Sequence, residues 1–426
     1  MNSFTATLTG GTLRPRLGRG LALAGVALLV AGCGLSGGSS SGTSNNATTS
    51  QGVTGKSIKI GILGPFSGSA SLFSKTEDME IAIYKDANAH GGVNGRQLDL
   101  VVGDSACDAT TEQVLIRKFV DQDQVFMIHG GSCSDAVVAA KPLIDSSGVP
   151  FLTANAASGA ISNPPLRNLF QPKPTADESS ASIVKFIQSN PNIKTVGIVA
   201  EPTSWGQSEL QPLMKALQGT DLKVVVNEQI DRGAGDATPQ VTKLRQANPD
   251  VVVVFAYPQP LAVFLRDART AGLKGPFLTG DQVRPSQEVS LVKSADLISN
   301  LLTASMMPKP ADAPEYQQYR DLWQKYYPNL SFDSQAQEGV ISATYNLELL
   351  KSLGNNLTWD NWIKAAETKT FPVPMVGNIR FKPFNASDPS TRRPGLEDHF
   401  AILNSAGNGD VMVSNWSDYA KIKSSA

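Results

Sequence analysis

The hydrophobic positions of this chain fall into short apolar runs that alternate with longer amphipathic stretches. The apolar runs predict strands at 57–65, 97–104, 124–130, 149–153, 193–200, 222–230, 250–257 and 276–280. The amphipathic stretches predict helices at about 75–90, 110–121, 134–146, 177–190, 206–218, 238–247 and 259–271. Continuous apolar runs such as Val251–Phe255 are typical of parallel strands, which are buried on both faces. The alternation therefore predicts an α/β fold with parallel sheets and right-handed crossovers.

The alternation is interrupted at 160–176, where four prolines accompany a loss of periodicity. We interpret this segment as the crossing between two alternating units. After about residue 304 the pattern predicts three helices, at 312–327, 333–352 and 358–367, and then short strands near 378–382, 399–405 and 410–413. The 371 residues that follow position 55 exceed what one hydrophobic core usually holds. Two doubly wound lobes are therefore expected.

Small, hydroxyl and acidic residues follow many of the predicted strands. They are Gly64, Asp104, Gly130, Ser132, Thr153, Asn155, Glu201, Tyr257, Gly280 and Asp281. Ligands of open parallel sheets bind beyond the carboxyl ends of the strands. The pattern predicts a small-molecule site between two lobes.

Two strand-to-helix turns carry the cysteines of the body, Cys107 and Cys133. A catalytic reading would make Cys133 a thiolate at a helix N-terminus with His129 as its base. The chain has three histidines, His129 falls in or at the end of a buried strand, and no acidic partner follows at a recognisable spacing. The alternative is a disulfide, because the two cysteines follow adjacent strands at the same edge of the sheet. Two free buried thiols are a third alternative, and an enzyme is the least favoured reading.

Ser134 is expected at the start of the helix that follows Cys133. Its hydroxyl and the free N–H groups of the first turn would suit an anion. A helix-capping serine fits the same position equally well.

The N-terminus predicts export and anchoring. Residues 1–20 contain Arg14, Arg16 and Arg19 and no acidic residue, and the apolar run 21–30 follows. This is the pattern of a signal peptide. The sequence before Cys33 resembles a bacterial lipobox, which would make residues 1–33 a lipoprotein signal and Cys33 the site of lipidation. Residues 34–55 are uncharged and rich in Gly, Ser and Thr, and we expect a flexible tether.

Composition excludes several classes of function. The formal net charge is −1 and no basic cluster lies in the body, so nucleic acid is not an expected partner. No Cys/His cluster predicts a metal site. The stretch 91–95 precedes a strand rather than a helix, so it is not a phosphate loop. No cofactor is expected.

The body resembles the type I periplasmic binding proteins of ABC transporters, specifically the Leu/Ile/Val receptor group. The resemblance covers nearly all of 56–426. The matching stretches are IKIGILGPFSG (58–68), DANAHGGVNGRQLDL (86–100), GDSACD (103–108), GGSCSD (130–135), GVPFLT (148–153), WGQSE (205–209), RDARTAGLKGPFLTGD (266–281) and GNIRF (377–381).

The resemblance implies a non-enzymatic, monomeric solute receptor, held on the extracytoplasmic face of the membrane, that delivers its ligand to an ABC permease. It implies a first lobe of 56–174 and 305–383, a second lobe of 175–304 and 384–426, three crossovers that act as a hinge, and a disulfide between the two cysteines. A lobe that senses ligand for a signalling partner is the alternative within the same fold.

The resemblance also assigns roles around a small amino acid. Ser134 would bind the carboxylate, with backbone groups of Asn155, Ala156 and Ala157 beside it. Trp205 and Tyr257 would pack over the ligand, although each could instead serve its own helix start or strand end. Asp281 would pair with the ammonium group or cap a turn. Leu72 and Phe73 would line the side-chain pocket.

Three of these positions depart from the pattern of the group. Ala157 replaces a hydroxyl residue, Trp205 a tyrosine and Asp281 a glutamate. An amide, a urea-like molecule or an aromatic acid is therefore the alternative ligand.

Overall fold

Two parallel sheets organise the chain, as the alternating pattern predicts. The computed structural model describes residues 49–174, 176–280, 283–396, 399–403 and 409–425. All of them lie in one compact unit, 47–426.

The first sheet has five parallel strands in the order β2-β1-β3-β4-β5. These strands are β1 (Ser57–Gly64), β2 (Gln97–Asp104), β3 (Met127–Gly130), β4 (Phe151–Thr153) and β5 (Leu169–Phe170). Side chains of β1 alternate between two cores: Ile60 and Ile62 belong to the core on one face, and Leu63 to the core on the other. Helices cover both faces, as parallel strands require.

The second sheet has seven strands in the order β14-β13-β10-β9-β8-β6-β7. Its strands are β6 (Thr195–Ala200), β7 (Lys223–Gln229), β8 (Val251–Phe255), β9 (Phe277–Thr279), β10 (Leu301–Ser305), β13 (His399–Leu403) and β14 (Asp410–Val413). The strands β6 to β10 are parallel, whereas β13 and β14 add in antiparallel orientation. A small antiparallel pair, β11 (Phe371–Val373) and β12 (Gly377–Ile379), lies apart from both sheets.

The helices of the two lobes follow the strands in regular alternation. Up to β5 they are α1 (Ser74–Ala89), α2 (Ala109–Arg117), α3 (Ser134–Ser147) and α4 (Gly159–Ser162). From β5 to β10 they are α5 (Ala176–Gln188), α6 (Ser204–Gln218), α7 (Thr238–Ala247), α8 (Pro258–Thr270), α9 (Pro285–Val292) and α10 (Ala295–Ile298). The remainder are α11 (Gln317–Tyr326), α12 (Ser334–Leu353), α13 (Trp359–Thr368) and α14 (Trp416–Ser425).

The chain passes between the two sheets three times: after β5, after β10 and after β12. Between the second and third passages it returns to the first lobe, where α12 packs against α1. Gly339 permits this close approach, because a Cβ there would lie 2.2 Å from the carbonyl oxygen of Thr76. The exact residues at which the two lobes exchange chain stay a prediction.

The structure contains elements that the sequence pattern did not predict. Strand β5 lies inside the proline-rich segment read as a crossing, and β10, β11, α4, α9, α10 and α14 were also missed. Strand β5 is two residues long and β11 three, too short for either to show a periodicity.

Among the described residues, no helix has the length and apolar character needed to cross a membrane.

Candidate functional site

The carboxyl ends of the two sheets face a shared cleft. A cavity of about 150 Å³ lies there between the lobes. The first lobe contributes Leu72 and Phe73 to its wall, and the second lobe contributes Arg232 and Tyr257. Two residues predicted from the resemblance, Leu72 and Phe73, therefore lie opposite a third, Tyr257.

A disulfide joins the two cysteine-bearing turns of the first lobe. The Cα atoms of Cys107 and Cys133 are 5.5 Å apart, so the pair exists, but our reason for expecting it was partly wrong. The strands that precede the cysteines, β2 and β3, are not neighbours, because β1 lies between them. The disulfide therefore spans the end of β1 and holds the two outer turns against it.

Ser134 is buried on the first-lobe side and is not among the residues that line the cavity. Helix α3 begins at Ser134 with Cys133 as its N-cap residue, so the alternative of a helix-capping serine is wrong. The Ser134 hydroxyl oxygen instead accepts the backbone N–H of Ala157 at 3.2 Å and that of Ser158 at 3.1 Å. Ser134 thus fixes the loop after β4 and turns two backbone donors toward itself.

The same loop is held from behind by buried side chains. Gln171 donates to the carbonyl oxygen of Ala156 at 2.8 Å, and Asn155 donates to the side chain of Gln335. Arg393 donates to the carbonyl oxygen of Ala157 at 3.1 Å. The predicted loop residues lie beside Ser134, with Asn155 turned toward α12.

Two consecutive arginines that the sequence reading missed stabilise this region from the third passage between the sheets. Arg393 also donates to Ser162 at 2.8 Å and to the carbonyl oxygen of Pro174. Arg392 is fully buried, and donates at 2.8 Å to Glu367 as well as to backbone carbonyls of the first lobe. Arg393 thus connects the third passage to the loop after β4, whereas Arg392 connects it to the segment before β5 and to α13.

On the second-lobe side, Tyr257 lines the cavity, and Trp205 packs against Tyr257 without lining the cavity itself. The rings of Trp205 and Tyr257 have centroids 5.2 Å apart. Trp205, the second residue of α6, is fully buried, and its indole N–H has no hydrogen-bond partner among the described residues. Gly280 leaves room for this ring, since a Cβ there would lie 3.3 Å from it. Asp281, the expected partner of an ammonium group, lies outside the described residues, as does Cys33.

The two walls meet at Tyr257. Phe73 of the first lobe packs edge-on against the Tyr257 ring at 5.2 Å between centroids. Burial raises the pKa of the Tyr257 hydroxyl, and the nearby Arg232 guanidinium and Ser134 hydroxyl act in the opposite direction. The Tyr257 hydroxyl faces Ser134 without a well-formed hydrogen bond to any described residue.

Glu201 was among the strand-end residues expected at the site, but its pairing with Arg232 was not predicted. Glu201 is fully buried at the end of β6, and its carboxylate accepts the backbone N–H of Tyr257 at 2.6 Å. Burial raises the pKa of Glu201, whereas this N–H and Arg232 act to lower it. The Arg232 guanidinium carbon lies 4.4 Å from the centre of the Tyr257 ring. The acidic residue at the strand end was the available signal, but nothing in the sequence tied it to Arg232.

The catalytic alternative finds no geometric basis. His129 is fully buried, with Nδ1 at 2.6 Å from the Tyr84 hydroxyl and Nε2 at 3.0 Å from Glu80. Both ring nitrogens thus face groups of α1, and the sulfur of Cys133 is committed to the disulfide. No group of His, Cys, Asp and Glu residues suited to a metal ion occurs in the described ranges.

Two parallel-sheet lobes with a ligand-sized cavity at their strand ends define a solute-binding protein of the two-lobe kind. Residues 57–389 match the model of the periplasmic binding protein family. The chain belongs to this family, in its type I group of branched-chain amino-acid receptors. The family and the relatives are binding proteins rather than enzymes, as the sequence predicted.

Relatives and solved structures agree on the fold. The chain is 26% identical over 250 residues to the leucine-, isoleucine-, valine-, threonine- and alanine-binding protein of Pseudomonas aeruginosa, a match that covers 58% of this chain and 66% of that protein. The chain thus spans just under two thirds of that relative's length. A fatty acid ABC transporter substrate-binding protein from Thermomonospora curvata superposes with a TM-score of 0.74 at 23% identity, covering 86% of this chain and 94% of that chain.

A solute-binding protein of an ABC transporter from Rhodopseudomonas palustris BisB5, solved with 3,4-dihydroxy benzoic acid, has a TM-score of 0.70 at 19% identity. The superposition covers 84% of this chain and 96% of that chain. At this level of identity the likeness establishes the fold and leaves the ligand to be argued from the site.

Proposed function

We propose that this chain is an extracytoplasmic solute-binding protein of an ABC importer, and that it captures a small zwitterionic solute such as an amino acid between its lobes. The hinge formed by the three passages would allow the lobes to close on the ligand. A membrane permease would then receive the solute from the closed form.

One arrangement carries the proposal: donors from the first lobe face aromatic rings from the second. Ser134 and the N–H groups of Ala157 and Ser158 provide several donors within one small region. A carboxylate needs such donors, and hydrogen bonds to a charged group contribute about 1.5–3 kcal/mol each. The ligand's carboxylate would replace contacts that these donors make with one another.

The second lobe supplies what the rest of the ligand requires. Phe73, Tyr257 and the neighbouring Leu72 offer apolar surface for a side chain. The buried indole N–H of Trp205 and the Tyr257 hydroxyl offer further polar contacts. Asp281 directly follows Gly280, which packs against Trp205, so we assign the ammonium group to Asp281.

The N-terminal sequence supports a location at a membrane. We propose that residues 1–33 form a lipoprotein signal that is cleaved just before Cys33, that Cys33 becomes the lipidated N-terminus and that 34–55 act as a tether. Fractionation of cells that produce the Cys33→Ala protein tests this point. We expect the variant to leave the membrane fraction, and continued membrane association would contradict the anchor.

A thermal-shift panel on the full chain tests the proposed ligand class, because a ligand that binds only the folded state raises the melting temperature. The panel contains the common amino acids, simple amides and aromatic acids. We expect at least one amino acid to raise the melting temperature, and Ser134→Ala to lose most of that shift. A panel in which only amides or aromatic acids stabilise the protein would contradict the zwitterionic assignment.

Ser146→Ala is the matched control for Ser134→Ala. Ser146 belongs to the same helix but is exposed, and its hydroxyl bonds to the carbonyl oxygen of Leu143 at 3.1 Å. We expect this variant to keep the full ligand-induced shift.

A further inference from the structure

We propose that Asp135 holds the two lobes in the arrangement seen here through its contacts with Ser204 and Arg232. The inference deepens the proposed function, because it specifies which first-lobe residue holds the second lobe in place. Its role is positional: Asp135 is the residue next to Ser134, but its carboxylate is engaged by the opposite lobe.

The two oxygens of Asp135 each bind a different part of the second lobe. One accepts the backbone N–H of Ser204 at 2.7 Å, and the other lies 2.6 Å from a terminal nitrogen of Arg232. Asp135 lies in the first turn of α3, whereas Ser204 begins α6 and Arg232 follows β7. A separation of the lobes must therefore break both contacts.

The second-lobe half of this contact is preorganised. The Arg232 Nε atom lies 3.4 Å from the buried carboxylate of Glu201, and the guanidinium lies over the Tyr257 ring. Glu201 is itself held by the N–H of Tyr257. All three residues belong to the second lobe, so Arg232 keeps its position without help from the first lobe.

The N-terminus of α6 gives Asp135 a second favourable partner. Negative charge is stabilised beside the first N–H groups of a helix. Ser158 of the first lobe reinforces the same junction, since its hydroxyl lies 2.9 Å from that of Ser204. The Ser158 N–H is one of the two donors to Ser134. Ser158 therefore connects the contact between Asp135 and Ser204 with the proposed carboxylate site at Ser134.

An ordinary surface ion pair is the competing explanation. The side chains of Asp135 and Arg232 are 33% and 31% exposed, and exposed pairs contribute little. The difference lies in geometry, because Asp135 makes two charge-assisted contacts at once and both join the lobes. A bystander ion pair would not alter the separation of the lobes when it is removed.

Hydrogen exchange and small-angle X-ray scattering on the full chain without added ligand separate these explanations. In Asp135→Ala we expect the amide of Ser204 to exchange about tenfold faster, as for the loss of a partly screened hydrogen bond to a charged group. We also expect a larger radius of gyration. Asp135→Asn keeps an acceptor for Ser204 but loses the charge, so its exchange rate should lie between those of the wild type and Asp135→Ala.

Asp145→Ala is the control, because Asp145 is an exposed acid on the same helix. It should leave both readouts unchanged. Arg232→Met removes one of the two contacts, so it should enlarge the radius of gyration less than Asp135→Ala does. The double variant should be no more open than Asp135→Ala alone, because that single variant already removes both contacts.

Unchanged exchange at Ser204 and an unchanged radius of gyration in folded Asp135→Ala would overturn the proposal. If Asp135→Ala fails to fold, Asp135→Asn decides: wild-type behaviour of that variant would overturn the charge-based lock. Failure of the proposed function is recognised separately, as a wild-type thermal-shift panel without a hit, since the locking measurement uses no ligand.

Discussion

Removal of the Cys107–Cys133 disulfide should destabilise the protein by an amount that can be worked from its loop length. The cysteines are 26 residues apart. In the chain-entropy model, a closed loop of this size raises the free energy of unfolding by about 3.5 kcal/mol at room temperature. Cys133 is also buried in the apolar cluster that contains Phe73 and Tyr257. The double variant Cys107→Ala/Cys133→Ala should therefore lose about 3.5 kcal/mol or slightly more.

Urea unfolding of the full chain, followed by circular dichroism, measures this loss. The midpoint should fall and the slope should rise somewhat, because the denatured chain without the disulfide is less compact and exposes more surface. Cys33→Ala is the matched control and should keep the wild-type midpoint, since Cys33 is outside the pair. A loss below about 1 kcal/mol in the double variant would refute the reasoning that the bridge holds the two turns across β1.

Three further predictions concern single positions. Gly130 has φ +121°, and a Cβ there would lie 2.1 Å from a backbone oxygen, so Gly130→Ala should lower the free energy of unfolding by about 3–4 kcal/mol. Gly272 has φ +76° and open space around it, so Gly272→Ala should lower it by only about 1–2 kcal/mol. Urea titrations measure both losses. Equal losses would contradict the clash. Burial raises the pKa of Glu112 from its ordinary value of 4.5 to about 8. Between these two pH values the folded state keeps the Glu112 proton that the unfolded state has lost, so the free energy of unfolding should fall as the pH rises from about 4.5 to 8. Glu112→Gln should flatten this dependence of the unfolding free energy on pH. An unchanged dependence would exclude the Glu112 carboxyl as its cause. Arg393→Met leaves buried carbonyl groups unpaired and should lower the free energy of unfolding by about 3 kcal/mol or more. Arg167→Met removes an exposed ion pair and should change the urea midpoint little. Similar midpoints for the two variants would argue that the buried contacts of Arg393 do not stabilise the fold.

The sequence predicted the fold well where the periodic signal was long. Helices such as α3 and strands such as β8 carry continuous apolar patterns, and both occur where expected. Short strands carry no such signal: β5 has two residues, and only pairing with β4 makes it a strand. The order of strands was also not readable, because the position of β1 between β2 and β3 follows from three-dimensional crossovers.

The candidate site was predicted in part, and by resemblance more than by pattern. Phe73 and Tyr257 meet across the lobes, and Ser134 lies at the expected helix start. The role of Ser134 toward the loop after β4 could not be foreseen, because it depends on a contact across 23 residues. The lock between Asp135 and Arg232 spans 97 residues and had no local signal at all.

Arginine side chains give the third passage between the sheets a particular robustness. Arg392 and Arg393 donate mainly to backbone oxygens there. A guanidinium remains protonated throughout the physiological pH range. The hydrogen bonds of the third passage should therefore persist in acidic and in alkaline media. Buried carboxyl groups such as Glu112, whose pKa is raised by burial, should instead make the stability of the protein depend on pH.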